Sequence, residues 1–221
     1  MRFAAVVAAA GRSVRFGGVK KEYRLLGELP VISHSVRLFL GMQECAAVVV
    51  LVPPDGEAEA RAALGDELAS RAGPRLIFAE GGAERADSVK AGLLALRSVD
   101  PEYVLVHDAA RPRVGLELAR RVLAETARSG ACVPGVPVTD TIKRVRADGS
   151  VAESLERSSL RAVQTPQGFQ YRGLLAAYLW AGSSASKATD DAEIWSMAGG
   201  SVAVVDGERD NVKITFPEDL P

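Results

Sequence analysis

The chain is poor in the residues that most often bind metals or form cross-links, with two cysteines and two histidines among its 221 residues. Cys45 and Cys132 lie far apart and outside the spacing of a metal site, so we expect free, mostly buried thiols and a reducing compartment. A zinc site built on His34 and His107, the two histidines, is not expected either. These shortages exclude disulfide scaffolds and histidine-rich zinc proteins.

The chain also has little net charge and no long apolar run. A net charge of −1 gives no overall positive field to attract nucleic acid. The apolar run Phe3–Val7 is too short to span a membrane, and no credible signal-cleavage site follows it. We therefore expect no nucleic-acid or membrane partner, a cytoplasmic location, and a single well-buried domain over residues 1–221.

The two commonest phosphate-binding motifs are absent as well. A Walker A loop has Gly-Lys-Ser/Thr after a glycine and four further residues. Here the fifth residue after Gly11 is Phe16, and no glycine of this loop directly precedes a lysine. The dinucleotide fingerprint requires a second glycine two residues after the first, where this chain has Ser13. The loop after the first apolar run therefore belongs to neither class.

What the chain does have is a long loop of small residues and spaced cations, Ala8–Lys21, after that apolar run. Alanine and glycine let the backbone fold tightly and bring its amides close to a ligand. Arg15 and one of Lys20 or Lys21 add positive charge, which a polyanion needs as its own charge grows during reaction. This arrangement indicates the triphosphate loop of a nucleotidyltransferase. The alternative is an ordinary loop with solvated charges.

Short apolar runs alternate with longer amphipathic segments, which favours an α/β fold with a mostly parallel sheet flanked by helices. The runs are nearly continuous in Val, Ala, Ile and Leu, as expected of strands covered on both faces. The predicted strands are Phe3–Val7, Ala46–Val52, Arg75–Phe78, Tyr103–Val106, Cys132–Val136 and Ser201–Val205. The predicted helices are Val31–Leu40, Glu57–Ala72, Arg85–Leu96, Leu116–Ser129, Gly173–Ala181 and Asp190–Ala198.

One polar stretch, residues 141–155, interrupts this alternation. Apolar and polar residues alternate on both sides of Asp148-Gly149, a dipeptide typical of a two-residue hairpin turn. Such a hairpin is too polar for the core, and an isolated hairpin is only marginally stable in water. We therefore predict a projecting arm, inserted at about residues 138–158, that a second copy of the chain covers.

Polar groups follow one predicted strand at the edge where open α/β sheets bind ligands. Asp108 and Arg111 come just after Tyr103–Val106. Asp108 can orient a substrate hydroxyl or lie beside a phosphate-bound Mg²⁺, which prefers oxygen ligands, and Arg111 can reach a phosphate. The alternative is an Asp–Arg pair that only closes the loop.

Other polar positions have both a functional and a structural interpretation. Gly82 precedes a predicted helix and Ser88 lies in its first turn, where main-chain groups can come close to a base and recognise it. A tight turn before a helix explains these residues nearly as well. Lys213 has a β-branched neighbour on each side, which also fits an exposed lysine on a strand. Asp190 with Glu193 three residues later predicts a capping box, which needs no functional explanation.

In this order the motifs resemble the 2-C-methyl-D-erythritol 4-phosphate cytidylyltransferase family of the non-mevalonate isoprenoid pathway. The resemblance runs nearly end to end, through Ala8–Lys21, Gly81–Gly92, Val104–Pro112, Pro137–Arg144, Thr165–Phe169 and Asp210–Leu220. It implies a Rossmann-like nucleotidyltransferase fold whose β-arm builds a homodimer. It also implies transfer of CMP from CTP to methylerythritol phosphate with Mg²⁺. The substrate phosphate would attack the α-phosphorus from the side opposite to the departing pyrophosphate, without a covalent intermediate.

The resemblance also assigns roles to individual residues. Arg15 and Lys21 match the cations that stabilise the transition state, and Lys21 is preferred to Lys20 because Glu22-Tyr23 follows it. Asp108 is in addition the candidate ligand of Mg²⁺, and Arg157 is expected to enter the partner's site. The nucleotide-binding positions are Ala9, Ala10, Gly11, Gly82, Ser88 and Asp108, and the substrate-binding positions are Asp108, Arg111, Thr141, Arg157, Thr165 and Lys213.

The chain departs from the family pattern in places. Its first loop is one residue shorter than in some members, Lys20 replaces a usual proline, and Ala83 replaces a common acidic residue. Three rival functions remain: a ribitol 5-phosphate cytidylyltransferase, a sugar-1-phosphate nucleotidyltransferase, and a non-catalytic nucleotide-binding protein. The sugar-phosphate enzymes carry a different Gly-rich loop, and a non-catalytic protein would be expected to have lost Lys21 or Asp108.

Overall fold

The computed structural model describes residues 1–11, 16–17 and 20–220. Its strands are β1 (Phe3–Ala8), β2 (Leu25–Leu26), β3 (Leu29–Pro30), β4 (Cys45–Val52), β5 (Leu76–Glu80), β6 (Tyr103–Asp108), β7 (Ala131–Pro137), β8 (Lys143–Val145), β9 (Val151–Ser154), β10 (Arg161–Val163), β11 (Gln167–Gln170) and β12 (Ala203–Asp206). Its α-helices are α1 (Val31–Gly41), α2 (Glu57–Leu64), α3 (Asp66–Ala72), α4 (Arg85–Ala95), α5 (Leu116–Ser129), α6 (Tyr171–Ala181) and α7 (Asp191–Met197). In the part of the chain that is described, no helix has the length and apolar character needed to cross a membrane.

An eight-stranded sheet forms the centre of the molecule. β1 lies between β4 and β6 in parallel, with Val6 opposite Val49 and Val106, and β5 extends the parallel part beyond β4. The residues of Phe3–Val7 are completely buried, because α1, α2, α3 and α5 cover one face of the sheet and α4, α6 and α7 cover the other. The predicted α/β fold with a mostly parallel sheet is confirmed.

The other half of the sheet contains two strands that the sequence analysis missed. β11 runs antiparallel between β6 and β7, β10 is also antiparallel to β7, and β12 is parallel to it. β11 has only four residues, Gln-Gly-Phe-Gln, so it lacks the apolar run that predicts a strand. Its Gly168 is required by packing, since a Cβ there would lie 2.1 Å from Thr126 Oγ1.

The ends of most predicted elements agree with the structure to within two residues. The exception is the predicted helix Glu57–Ala72, which is wrong as a single helix and forms α2 and α3 instead. The break falls at Gly65, whose φ of +82° lies in the left-handed region that ends helices. At the start of α7, the Asp190 side chain accepts from the Glu193 amide as predicted, but Glu193 bonds back to the Thr189 amide rather than to Asp190.

The polar stretch forms the predicted hairpin, β8 paired with β9, and residues 143–154 are all exposed. The two-residue turn is wrong, because the loop has three residues. Arg146 N donates to Ser150 O at 2.8 Å and Gly149 N donates to Arg146 O at 3.0 Å. Gly149 then takes a φ of +82°, the position that glycine occupies in three-residue hairpin loops.

Both cysteines are buried free thiols. Burial is the largest cause that raises the pKa of Cys45 and of Cys132 to about 12. Both thiols are therefore protonated at neutral pH and have little nucleophilic character, which agrees with a structural role in the core.

Candidate active site

A cleft of about 690 Å³ opens where β1, β4, β5 and β6 end. This is the edge of the sheet at which a ligand is expected, because the carboxyl ends of parallel strands meet there. Several predicted site residues line this cleft: Ala10, Gly11, Lys21, Gly82, Ser88, Asp108 and Lys213. The structure therefore brings the three main motifs of the sequence, and the later Lys213, to one place.

The wall between β5 and α4 is built for close backbone packing. Ser88 Oγ accepts from Gly82 N and donates to Glu84 O, both at 3.1 Å. A Cβ on Gly81 would lie 2.5 Å from Ala10 Cβ, and one on Gly82 would lie 2.4 Å from Asp87 Cβ. Both glycines are therefore needed for the backbone to approach α4 and the first loop. Gly82 and Ser88, which are predicted to contact the nucleotide, are hydrogen-bonded to each other and both line the cleft.

Lys20 bonds to the described start of the first loop. Its Nζ donates to Gly11 O at 2.5 Å and to Ala9 O at 3.3 Å. Burial lowers the pKa of Lys20, against the opposing effect of Glu22 and Glu59. The lysine that replaces the usual proline thus holds the backbone of residues 9–11 by hydrogen bonds. Ala9 itself, predicted to bind the nucleotide, is buried in the core and does not line the cleft. The predicted catalytic Arg15 lies outside the described residues.

Asp108 lies among three cationic side chains. Lys213 Nζ donates to its Oδ2 at 2.6 Å, Arg85 Nε lies 3.8 Å from Oδ1, and Arg111 Nε lies 4.0 Å from Oδ2. Burial alone would raise the pKa of Asp108, but Lys213 and Arg85 together lower it to about 2. The carboxylate is ionised at neutral pH, and the cluster keeps an excess of positive charge that suits a phosphorylated ligand.

Lys213 reaches this cluster from an irregular segment and not from a strand. Ile214 N donates to Ala110 O at 2.8 Å, and the Ile214 side chain is buried, so the segment is fixed beside the end of β6. The predicted strand is therefore wrong, but Lys213 is exposed, at 38% of its side chain, as that alternative expected.

Arg85 is a cleft residue that the sequence analysis missed. Its Nη2 donates to Asp191 Oδ2 at 2.7 Å, and Tyr178 OH donates to Asp191 Oδ1 at 2.5 Å. Asp191 is completely buried. Burial alone would lower the pKa of Arg85, but Asp191 and then Asp108 raise it. Asp191 could have indicated such a partner, because an acid on the apolar side of α7 needs a cation. The sequence analysis did not consider it, because the capping pattern of Asp190 and Glu193 already explained the acidic residues at this helix start.

Arg111 and Thr165 do not line the cleft, and both are bonded to Asn211. Arg111 Nη1 donates to Asn211 O at 2.7 Å, and Asn211 Nδ2 donates to Thr165 O at 2.8 Å. The Thr165 hydroxyl lies within hydrogen-bond distance of Asp108 N and His107 Nδ1, not in the cleft. Asn211 is completely buried, and sequence reasoning gave it no role because nothing local shows which segments it joins.

Thr141 and Arg157 lie on the exposed arm region and do not line the cleft of their own chain. Arg157 Nη1 donates to Thr139 O at 3.0 Å, which fixes the arginine at the base of the arm. The structure thus separates these two predicted substrate-binding residues from the others.

A sequence model of the 2-C-methyl-D-erythritol 4-phosphate cytidylyltransferase family, IspD, matches residues 3–221. The chain belongs to this family. It is 41% identical over 218 residues to the 2-C-methyl-D-erythritol 4-phosphate cytidylyltransferase of Bacillus cytotoxicus, with 97% of this chain and 93% of that protein covered. It is also 41% identical over 220 residues to the bifunctional enzyme IspD/IspF of Rhodospirillum rubrum, where 99% of this chain covers 55% of the relative.

The chain therefore spans about half the length of the bifunctional relatives and nearly all of the single-function ones. Solved IspD structures share its fold. The crystal structure of the Thermus thermophilus cytidylyltransferase has a TM-score of 0.77 at 34% identity, with 97% of this chain and 94% of that chain covered. The 4-diphosphocytidyl-2C-methyl-D-erythritol synthase of Anaerococcus prevotii has a TM-score of 0.85 at 26% identity, with 99% and 92% covered.

Among the described residues, the side chains of this cleft do not form a metal-binding cluster of their own. Within residues 1–11, 16–17 and 20–220, no three His, Cys, Asp or Glu side chains lie close enough together to hold an ion. The nearest candidate, Asp108, already has Lys213 on one carboxylate oxygen and Arg85 facing the other. A divalent ion fits this site only if anionic ligand oxygens neutralise the surrounding cations.

The buried His107 of this IspD chain predicts a loss of stability on mild acidification. Burial lowers its pKa from 6.5 to about 4, so between these values the unfolded chain binds a proton that the folded chain does not. The free energy of unfolding should therefore fall by up to about 3 kcal/mol as the pH drops from 7 toward 4. Urea unfolding of the wild type and of His107→Gln across this range measures the difference.

The matched variant His34→Gln removes the other histidine, which is half-buried. It tests whether any histidine replacement gives the same change. If His107→Gln and the wild type lose stability in parallel from pH 7 to pH 4, burial of His107 is not the cause.

Proposed function

We propose that this chain transfers the CMP group of CTP to 2-C-methyl-D-erythritol 4-phosphate and releases pyrophosphate, the reaction named by its family. The observation that supports this most directly is the single cleft that joins the Ala10-Gly11 loop and Lys21 to the Asp108–Lys213 pair. One side of this cleft suits a nucleotide, and the other offers cations to a second phosphate. A transferase needs both at once.

In this mechanism a phosphate oxygen of methylerythritol phosphate attacks the α-phosphorus of CTP. The bond from that phosphorus to the oxygen bridging to the β-phosphate breaks, and pyrophosphate leaves from the opposite side. Negative charge grows on the α-phosphate oxygens, so the task of the protein is positioning and charge stabilisation. Lys21 and Arg15 would stabilise that charge, Gly82 and Ser88 would contact the nucleotide, and Lys213, oriented by Asp108, would hold the attacking phosphate.

We infer that Mg²⁺ is bound mainly by the CTP phosphates, with Asp108 as the nearest protein carboxylate. The cations around Asp108 support binding through the phosphates, because they repel a free metal ion and attract one that is already bound to a polyanion. When bound, the ion would offset the negative charge of the triphosphate. Lys213 and Arg85 keep Asp108 ionised beside it.

We infer that the chain is a homodimer in which the arm completes the partner's site. Arg157 and Thr141 lie on exposed segments away from their own cleft, although the family resemblance assigns both to substrate binding. The exposed β8–β9 hairpin, with Val145 and Val151 open to solvent, also needs a cover. A symmetric dimer satisfies both requirements.

Subunit complementation tests this arrangement. Lys21→Ala and Arg157→Ala homodimers should each be nearly inactive. A heterodimer of the two, co-expressed with different tags and purified on both, should regain about half of the wild-type kcat per dimer. One of its two sites then has an intact Lys21 and an intact Arg157 from the other chain.

The matched control is a heterodimer of Lys21→Ala with Lys213→Ala, two residues that line the cleft of the same chain. This pair leaves a defect in each site and should stay inactive. If the Arg157 heterodimer also stays inactive while it remains a dimer, Arg157 does not serve the partner's site.

Pyrophosphate release from CTP and Mg²⁺, measured in parallel with methylerythritol 4-phosphate and with ribitol 5-phosphate, tests the reaction itself. We expect release with methylerythritol phosphate only. Release with ribitol phosphate alone would keep the mechanism and change the substrate. CTP binding without release for either acceptor would indicate a nucleotide-binding protein without transferase activity.

A further inference from the structure

His107 is completely buried beside the cleft and has no role in the reaction described above. It is the residue before Asp108 in β6, and its ring packs edge-on against Phe39, with ring centroids 5.4 Å apart. Each ring nitrogen has one polar neighbour. Nε2 lies 3.1 Å from Arg111 O, and Nδ1 lies 3.0 Å from Thr165 Oγ1.

These neighbours determine where the protons lie. A carbonyl oxygen only accepts, so Nε2 must carry the hydrogen and donate it to Arg111 O. In the neutral ring Nδ1 is then an acceptor, and the Thr165 hydroxyl must donate to it. The same hydroxyl oxygen accepts from Asp108 N at 3.1 Å. All three hydrogen bonds are compatible with a single arrangement of protons.

This chain of hydrogen bonds holds both ends of one turn. Arg111 N donates to Asp108 O at 2.9 Å and closes the turn from residue 108 to residue 111. His107 fixes the carbonyl at the end of the turn directly and the amide at its start through Thr165. The side chains of Asp108 and Arg111, the two ends of this turn, form part of the charged cluster at the cleft.

We propose that His107 is a positioning residue for the cytidylyl transfer proposed above: through Arg111 O and the Thr165 hydroxyl it fixes the turn that presents Asp108 and Arg111 to the substrate. Thr165 then acts through the backbone of Asp108, since its one hydroxyl hydrogen is committed to His107. This differs from the substrate contact that the family resemblance assigns to Thr165. The proposal depends on the proposed function only for its kinetic readout.

The proton arrangement can be observed directly. The chain has two histidines, so a His34→Gln variant labelled with ¹⁵N-histidine reports His107 alone. We expect the Nε2–H tautomer at neutral pH, unchanged when CTP is added. An Nδ1–H tautomer, or one that changes when CTP binds, would overturn the proposal, because the Thr165 hydroxyl would then be bonded differently or released to the ligand.

The kinetic test compares Thr165→Val with the matched variant Thr165→Ser, which keeps the hydroxyl. We expect Thr165→Val to lower kcat by about tenfold to a hundredfold, the scale for a misplaced reacting group. Thr165→Ser should stay near the wild type, and the Kd for CTP should change little in both. Equal activity of the two variants would overturn the proposal, as would a loss in Thr165→Val that a lower folded fraction explains.

Failure of the proposal and failure of the proposed function can be told apart. If the wild type releases no pyrophosphate with methylerythritol phosphate, the proposed function is wrong, and the His107 tautomer in folded protein still tests the hydrogen-bond chain. If the wild type is active and the tautomer is Nδ1–H, the proposal is wrong and the function stands.

Discussion

Replacing Lys21 with alanine is expected to lower kcat for pyrophosphate release by about a hundredfold or more, with a smaller effect on the KM for CTP. Lys21 lines the cleft and is 8% exposed, so its charge acts in a poorly solvated region where electrostatic interactions are strong. The charge it would stabilise grows on the α-phosphate only as the transition state forms. Its loss therefore affects the chemical step more than binding. Steady-state kinetics at saturating methylerythritol phosphate measures both constants.

The neighbouring Lys20→Ala variant is the matched control. The Lys20 ammonium bonds to Gly11 O and Ala9 O, so its loss should loosen the loop and raise the KM for CTP more than it lowers kcat. If the Lys21 variant turns over near the wild-type rate, Lys21 does not stabilise the transition state. If both variants lower kcat equally, the loop requires its total charge and not a particular cation.

Much of the fold could be predicted because local signals agree with the final structure. The runs Phe3–Val7 and Ala46–Val52 are apolar on both faces, which only a sheet covered on two sides accommodates. β11 could not be found this way, because it begins and ends with a glutamine, Gln167 and Gln170. Its pairing with the neighbouring strands makes it a strand, not an apolar run of its own. Gly65 divides a helix that is otherwise continuous in pattern, and a single glycine inside such a pattern does not reveal whether its φ is positive.

The motifs of the site could be predicted from the sequence, but the contacts that hold its side chains in place could not. Asp108 and Arg111 follow a recognisable strand, and their place at its carboxyl end points to ligand binding. The partner of Asp108 is Lys213, 105 residues away along the chain. The local sequence does not show that two such distant residues are in contact. His107 lies within the Val104–Pro112 motif, but the motif does not reveal its positioning role, because Thr165, one of its two hydrogen-bond partners, lies 58 residues away. Contacts of this kind become visible only once the chain is folded.

Replacing Arg85 with methionine is expected to lower the free energy of unfolding by about 3–5 kcal/mol, because it leaves a buried carboxylate without its cation. Asp191 is completely buried, and the Tyr178 hydroxyl would remain as a hydrogen-bond donor to it. The double variant Arg85→Met with Asp191→Asn should recover a large part of this loss, since it removes the charge that Arg85 neutralises. Urea unfolding at pH 7 measures all three proteins.

The chain provides a matched control in Arg71→Met. Arg71 Nη2 lies 3.0 Å from Glu67 Oε1, at nearly the same distance as in the Arg85–Asp191 pair, but both of its side chains are mostly exposed. Water screens such a pair, so its loss should cost at most about 1 kcal/mol. Equal losses for Arg71→Met and Arg85→Met would mean that burial of Asp191 does not set the strength of its pair. A double variant no more stable than Arg85→Met would mean that the uncompensated charge is not the cause of the loss.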